Sequence, residues 1–273
     1  MIIRSYPKVN ICFKITGFLG NYCEIASRFA LVKSANLYDT IEIRQSDSFK
    51  ISGNFDCKMQ DNTIFRAKEA LKEFLESRDD SKDSSLRGRI ADSHEAIQML
   101  EFFYIEVDKK IPTFAGLGGG SSNAASYLIA MNEILELNLE PKDLVQIARR
   151  VGADVSFFVC GFNSANVFGI GEGVEFFNEK VLELEFFTPP IQCSTKAVYD
   201  EYRAMQNRGE THFYKNAREL LANDSATLLQ KNTINFLNDL YAPACKIYPQ
   251  LRDFAKDGYF FSGSGSSFFR LKI

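Results

Sequence analysis

The chain has 273 residues, 45% hydrophobic and 25% charged, with a formal net charge of -3. That length and balance suit a sizeable core in one large domain or two intimately packed ones. The slight acidity excludes a broad polyanion-binding face, so nucleic acid is not an expected partner and any nucleotide contact is local.

The opening residues, M-I-I-R-S-Y-P-K, lack the apolar core of a signal peptide, and no run approaches the length of a membrane span. The expectation is a cytoplasmic protein with no membrane partner. Its cysteines, at 12, 23, 57, 160, 193 and 245, contain no C-x-x-C pair and read as buried or free thiols, while His94 and His212 read as surface residues.

Residues 8–16 alternate, with Val9, Ile11, Phe13 and Ile15 on one side and Lys8, Asn10, Cys12 and Lys14 on the other, the period of a half-buried strand. Residues 17–21 read as a turn, and 22–32, 40–43 and 49–51 as further strands. Asp61-Asn62-Thr63-Ile64 is a capping signature ahead of an amphipathic helix. Residues 76–95, dense in Ser, Asp, Lys and Arg, read as a solvated excursion without a part in the chemistry. Residues 102–107 form a strand that runs into Pro112.

Residues 112–125 read P-T-F-A-G-L-G-G-G-S-S-N-A-A. Gly116, Gly118, Gly119 and Gly120 free the backbone for φ > 0 and remove the Cβ between the peptide groups and whatever approaches them. The apolar spacing of Ala124, Ala125, Leu128, Ile129 and Met131 then predicts a helix. A flexible turn feeding a helix N-terminus presents N–H groups and a positive dipole end to a small volume, which suits phosphate. The run is neither a Walker A, since no Lys-Ser or Lys-Thr follows, nor a dinucleotide fingerprint, since the third glycine falls on Ser121. The plain alternative is a structural turn joining strand to helix.

Beyond the loop helix, Glu140-Pro141-Lys142-Asp143 opens another helix. G-A-D-V-S-F-F-V-C-G then sets Asp154 ahead of an apolar run. Glycines at 169, 171 and 173 separate two strands, residues 181–192 are a strand interrupted by Pro189-Pro190, and the pattern from Lys196 is mostly helical. The chain closes on a strand, a glycine turn and a last strand.

A phosphate loop calls for a cation beside the transferring group and a carboxylate near the accepting hydroxyl. Lys8 and Asp154 are the candidates. Taken singly, Lys8 reads first as a solvated strand lysine and Asp154 as a helix N-cap.

Together, Lys8-x-Asn10, G-L-G-G-G-S-S-N-A-A at 116–125, G-A-D-V-x-F-F at 152–158 and S-G-S-G at 262–265, in this order and over this length, resemble the GHMP kinase superfamily. Asn238-Asp239-Leu240 is a supporting match. The resemblance implies an α+β, two-lobed fold: a ribosomal S5 domain 2-like N-terminal lobe over residues 1–160 and an α/β-plait C-terminal lobe over 161–273. It implies phosphoryl transfer from ATP, with Mg²⁺, to the 2-hydroxyl of a small-molecule substrate, a cytidine diphosphate-linked methylerythritol. Pro112, Thr113, Phe114, Ala115, Gly116, Leu117, Gly118, Gly119, Gly120, Ser121 and Ser122 would wrap the ATP phosphates, with the two serine hydroxyls near phosphate oxygen or metal; the metal ligands themselves stay unknown. Asp154 would act as general base or orienting acceptor, and Lys8 would keep it ionised. Asn10 and Thr195 would line the erythritol end, and Tyr22 and Tyr199 would sandwich cytosine, each also readable as core packing.

The sequence departs from the family pattern in two places. Cys23 stands where a histidine is usual at the cytosine edge, and a thiol is a weak donor and acceptor. Phe114-Ala115 stands where small residues are usual. The competing readings are another activity of the superfamily, of homoserine or mevalonate type, and a nucleotide-binding paralogue without catalysis.

Overall fold

The computed structural model describes residues 1–33, 36–55, 57–79, 93–256 and 258–272. In chain order the first elements are β1 (Ile2–Ser5), β2 (Lys8–Leu19), β3 (Tyr22–Leu31), β4 (Asp39–Gln45) and β5 (Lys50–Gly53), then α1 (Thr63–Asp79), α2 (Ser93–Met99) and β6 (Phe103–Asp108). Next come α3 (Gly119–Ile134), α4 (Pro141–Val151), α5 (Val155–Val159), β7 (Ser164–Gly169), β8 (Gly173–Phe176) and β9 (Leu184–Phe187). The helices α6 (Thr195–Asn207), α7 (Ala217–Leu221), α8 (Ser225–Lys231), α9 (Ile234–Leu237) and α10 (Tyr241–Ile247) precede β10 (Phe260–Phe261) and β11 (Phe268–Leu271). The class is α+β, as the sequence implied.

The chain forms two compact units, Met1–Tyr6 with Ser34–Ile111 and Gly119–Gly161, and Pro7–Lys33 with Pro112–Gly118 and Phe162–Ile273. The sequence reading drew one boundary, after residue 160. The two units are instead interleaved along the chain, with β2, β3 and residues 112–118 grouped with residues 162–273.

In the first unit the sheet order is β1-β4-β6-β5, with only β5 and β6 parallel. Ile41, Ile43, Ile105 and Val107 are buried, and α1 adds Ile64, Leu71 and Leu75 to the core. Asn62 caps α1 as expected, its Oδ1 accepting the Ile64 N–H at 2.9 Å. Buried Asp39 fastens the end of β6: its Oδ1 accepts the N–H groups of Lys110 and Ile111 at 2.7 and 2.8 Å, and Lys109 supplies the counter-charge at 2.5 Å. The expected excursion is shorter than read: 76–79 complete α1, 93–95 open α2 with Ala96 and Leu100 buried behind them, and 80–92 lie outside the described residues.

In the second unit the sheets run β2-β3-β7-β8 and β10-β11-β9, all antiparallel. Strand β2 corrects the sequence reading three times. It runs on to Leu19, so the turn is only Gly20-Asn21, and it is buried on both faces from Lys8 to Phe13 and beyond, since sheet and helices cover both sides. Its alternation is also broken. The pairing jumps between Asn10/Cys12 and Ile15/Gly17, leaving Ile11 and Thr16 as extra residues opposite β3. Each bulge inverts the faces of everything after it. Lys8 and Asn10 therefore share a face with Phe13, Ile15 and Phe18, and with Cys23, Ile25, Ser27 and Phe29 across β3, while Cys12 and Lys14 point the other way with Arg28. Lys14 there pairs with Asp239 and donates to the Phe236 carbonyl at 2.7 Å.

Candidate active site

Lys8 is 4% exposed, which sets aside the solvated-lysine reading. Burying an ammonium is costly unless oxygens surround it. Its Nζ donates to Asn10 Oδ1 at 2.5 Å and to the Gly116 carbonyl at 3.2 Å, and it stands 4.6 Å from the Phe29 ring centroid. Asn10 in turn donates from Nδ2 to Ser27 Oγ at 3.0 Å and from its backbone N–H to Ser262 Oγ at 3.3 Å, while Ser262 passes its own proton to the Gly116 carbonyl at 2.9 Å. The cation, the loop and the Ser262-Gly263-Ser264-Gly265 turn are thus one hydrogen-bonded web. Asn238 completes it, donating to the Phe261 and Gly263 carbonyls at 2.8 and 2.9 Å, which gives the Asn-Asp-Leu match its physical meaning.

The web also accounts for part of the glycine cluster. At Gly116 (φ +71°) an added Cβ would lie 2.0 Å from the Ser262 carbonyl oxygen, so no other residue fits. Phe114 adopts φ +53°, unusual for a bulky side chain, and is 52% exposed; its carbonyl accepts the Cys193 N–H at 3.4 Å. The small residues usual in the family at this position suit that conformation better. Ala115 is buried, and its carbonyl accepts the Ser267 N–H at 3.0 Å.

In the first unit, Gly119 and Gly120 do more than lead into the loop helix: they are its first residues. Gly119 sits where a Cβ would meet Ile111 at 2.7 Å, and helix geometry leaves the N–H groups of Gly119, Gly120, Ser121 and Ser122 without partners inside α3. The two serines differ. Ser121 is half-buried, whereas Ser122 is 3% exposed, donating to the Tyr6 carbonyl at 2.7 Å and accepting from Ser5 Oγ at 2.7 Å. The Ser122 proton is committed to the fold. Asp154 holds the N-cap position of α5 but makes no side-chain capping bond, so capping does not explain its carboxyl group.

The remaining candidates belong to the second unit. Tyr22 is 63% exposed at the start of β3, and Cys23 is 7% exposed, its thiol pKa raised by burial. Thr195 bonds Ser264 through their hydroxyls at 3.0 Å, and Tyr199 packs edge-on against Phe13, ring centroids 6.4 Å apart. Thr195, Tyr199 and Arg203 follow one another at i, i+4 and i+8 and so share a face of α6. Arg203, Ser27 and Phe29 escaped the sequence reading, and Ser262 entered it only as the first letter of the S-G-S-G match; only the helical spacing after Tyr199 pointed to Arg203. Among the described residues, no three His, Cys, Asp or Glu side chains cluster as a metal site, no helix is long and apolar enough to cross a membrane, and both histidines are exposed.

The fold is of the GHMP kinase type, and residues 85–162 match the family described as GHMP kinases N terminal domain. The 4-diphosphocytidyl-2-C-methyl-D-erythritol kinase of Sulfurimonas denitrificans is 43% identical over 275 residues, covering 99% of this chain and 97% of the relative. That of Helicobacter acinonychis is 42% identical, covering 98% and 95%. A crystal structure of 4-(cytidine 5'-diphospho)-2C-methyl-D-erythritol kinase superposes with a TM-score of 0.69 at 25% identity over 99% of this chain and 90% of the other. Mevalonate kinase of Methanococcus jannaschii, at 13% identity and a TM-score of 0.61 over 100% and 90%, shares the fold. The chain belongs to the 4-diphosphocytidyl-2-C-methyl-D-erythritol kinase family.

Proposed function

We propose that this protein transfers the γ-phosphoryl group of ATP to the 2-hydroxyl of 4-diphosphocytidyl-2-C-methyl-D-erythritol, a step of non-mevalonate isoprenoid synthesis. The observation that carries the reading is the buried Lys8 ammonium held between Asn10 and the Gly116 carbonyl of the glycine loop. A fixed cation at a phosphate loop neutralises charge that develops during transfer without reorganising. The backbone N–H groups at the start of α3 bind phosphate oxygens, and Ser121 contributes its hydroxyl, while Ser122 acts through its backbone because its proton serves Tyr6.

Asp154 accepts the proton of the substrate hydroxyl or orients that hydroxyl, and Asn10 and Thr195 bind the erythritol end. Tyr22 and Tyr199 take the cytosine ring between them. Mg²⁺ prefers oxygen ligands and keeps waters and phosphate oxygens in its shell, so a loop offering Ser121 and no carboxylate cage fits it; when bound, it neutralises phosphate charge. Phe114, exposed at the loop, would stiffen its entry or shape the adenine side.

The test is ADP release with ATP, Mg²⁺ and the cytidylyl substrate. ADP that depends on that substrate, and falls by about 10²–10⁴-fold in Asp154→Ala, is the expected result, the size typical of a positioned acid or base. Turnover of homoserine or mevalonate in its place would assign the site to another member of the superfamily, and no turnover despite ATP binding would assign it to nucleotide binding alone.

A further inference from the structure

The tip of the β2–β3 hairpin is short of internal support. Gly20 has φ +56° with nothing within 4 Å of where a Cβ would stand, and Tyr22 is largely exposed. The Phe213 and Tyr202 rings pack edge-on against Phe18 at the base of the tip, and Arg203 holds the turn itself. Arg203 on α6 donates from Nη2 to the Tyr22 carbonyl at 2.8 Å and to the Gly20 carbonyl at 3.4 Å, stands beside Cys23, and lays its guanidinium 4.1 Å from the Phe18 ring centroid. Phe18 and Cys23 face each other across the strands, so the arginine spans both sides of the turn. Only a planar fork with several donors can meet two carbonyls while stacking on a ring.

The same face of α6 carries Tyr199. Arg203 therefore couples the residue bearing one proposed cytosine ring, Tyr22, to the helix bearing the other. A tip fixed before binding loses less freedom when the base arrives. We infer that Arg203 is a specificity-determining positioning residue for the cytidine end, holding residues 20–23 in register with Tyr199 where this chain has Cys23. This inference rests on the cytidylyl reading above. It assigns a role to a residue on neither the glycine loop nor the reacting groups.

The experiment measures KM and kcat for the cytidylyl substrate and for ATP, and the inhibition constant of CDP, in wild type, Arg203→Met and Arg203→Lys. In Arg203→Met the KM for the cytidylyl substrate and the inhibition constant of CDP rise together by about tenfold, the loss of a charged hydrogen-bonding group, while the KM for ATP and kcat at saturation hold within about twofold. Arg203→Lys, with one point charge in place of the fork, recovers part of that loss. A purely structural arginine would lower the unfolding temperature and depress kcat with both substrates alike, and that result overturns the proposal. So does an unchanged cytidylyl KM in Arg203→Met or, if that variant does not fold, in Arg203→Lys. Wild-type turnover of the cytidylyl substrate in the same assay tests the underlying reading separately, so the two failures are distinguishable.

Discussion

The two ends of β2 are built by different means. At the Lys8 end every polar side chain of the web is buried and bonded, and Lys8, Asn10, Ser27, Gly116, Ser262 and Asn238 hold one another through contacts that cross long stretches of sequence. At the Leu19 end the hairpin tip is exposed, and Arg203 bonds the carbonyls of its turn while Phe213 and Tyr202 pack on Phe18. The contrast teaches where rigidity is concentrated. Charge stabilisation in phosphoryl transfer depends on groups that do not move when the charge appears. Nucleobase recognition by stacking tolerates a looser frame, since every base presents a π-face.

The largest test of that contrast is Lys8→Met. It is expected to lower kcat by about 10³-fold with little change in the KM of the cytidylyl substrate, the pattern of an interaction made in the transition state. A change confined to KM would move Lys8 to the binding side. Next comes Ser262→Ala, which strips the Asn10 N–H of its acceptor and the Gly116 carbonyl of one donor. A loss of about 1–3 kcal/mol in urea unfolding is expected for a buried group left unsatisfied. Stability unchanged by that substitution would mean that the web is dispensable and the contrast false.

The smallest effect belongs to the loose end. Because Cys23 is already buried beside Arg203, Cys23→His alone is expected to leave the cytidylyl KM within about threefold of wild type, less than one net hydrogen bond. Combined with Arg203→Met, it is expected to recover part of the lost affinity. A large gain from Cys23→His alone would show that the tip still lacks the histidine.

The sequence made some of this legible and concealed the rest for definite reasons. The glycine run leading to a helix, the Asn62 cap and the closing strand–turn–strand are local signals, carried by residues whose backbone preferences act within a few positions, and they stand where expected, although α3 itself already begins at Gly119. The bulge at Ile11 carries no glycine or proline, so alternation read straight through it and put Lys14 beside Lys8. Lys8 looked like a surface lysine because its shielding comes from residues far along the chain, at 116 and 262. Ser121 and Ser122 look alike as letters; only the position of the Tyr6 carbonyl separates them. The start of α2 was hidden by the polar composition of the residues before it.

The extra residue at Ile11 has a consequence for how this strand can change by mutation. Substitutions on either side of it are nearly independent, because the segment carrying Lys8 and Asn10 and the segment carrying Cys12 and Lys14 are out of phase. Loss of that one residue would leave a regular ladder in which Asn10 still pairs with Phe29 and Cys12 with Arg28, so Lys14 would keep facing Asp239 and Phe13 would keep facing Tyr199. Loss of a residue in the regularly paired stretch beyond it, without such slack, would exchange the two faces. The strand can therefore shorten at its bulge and keep its inside and outside.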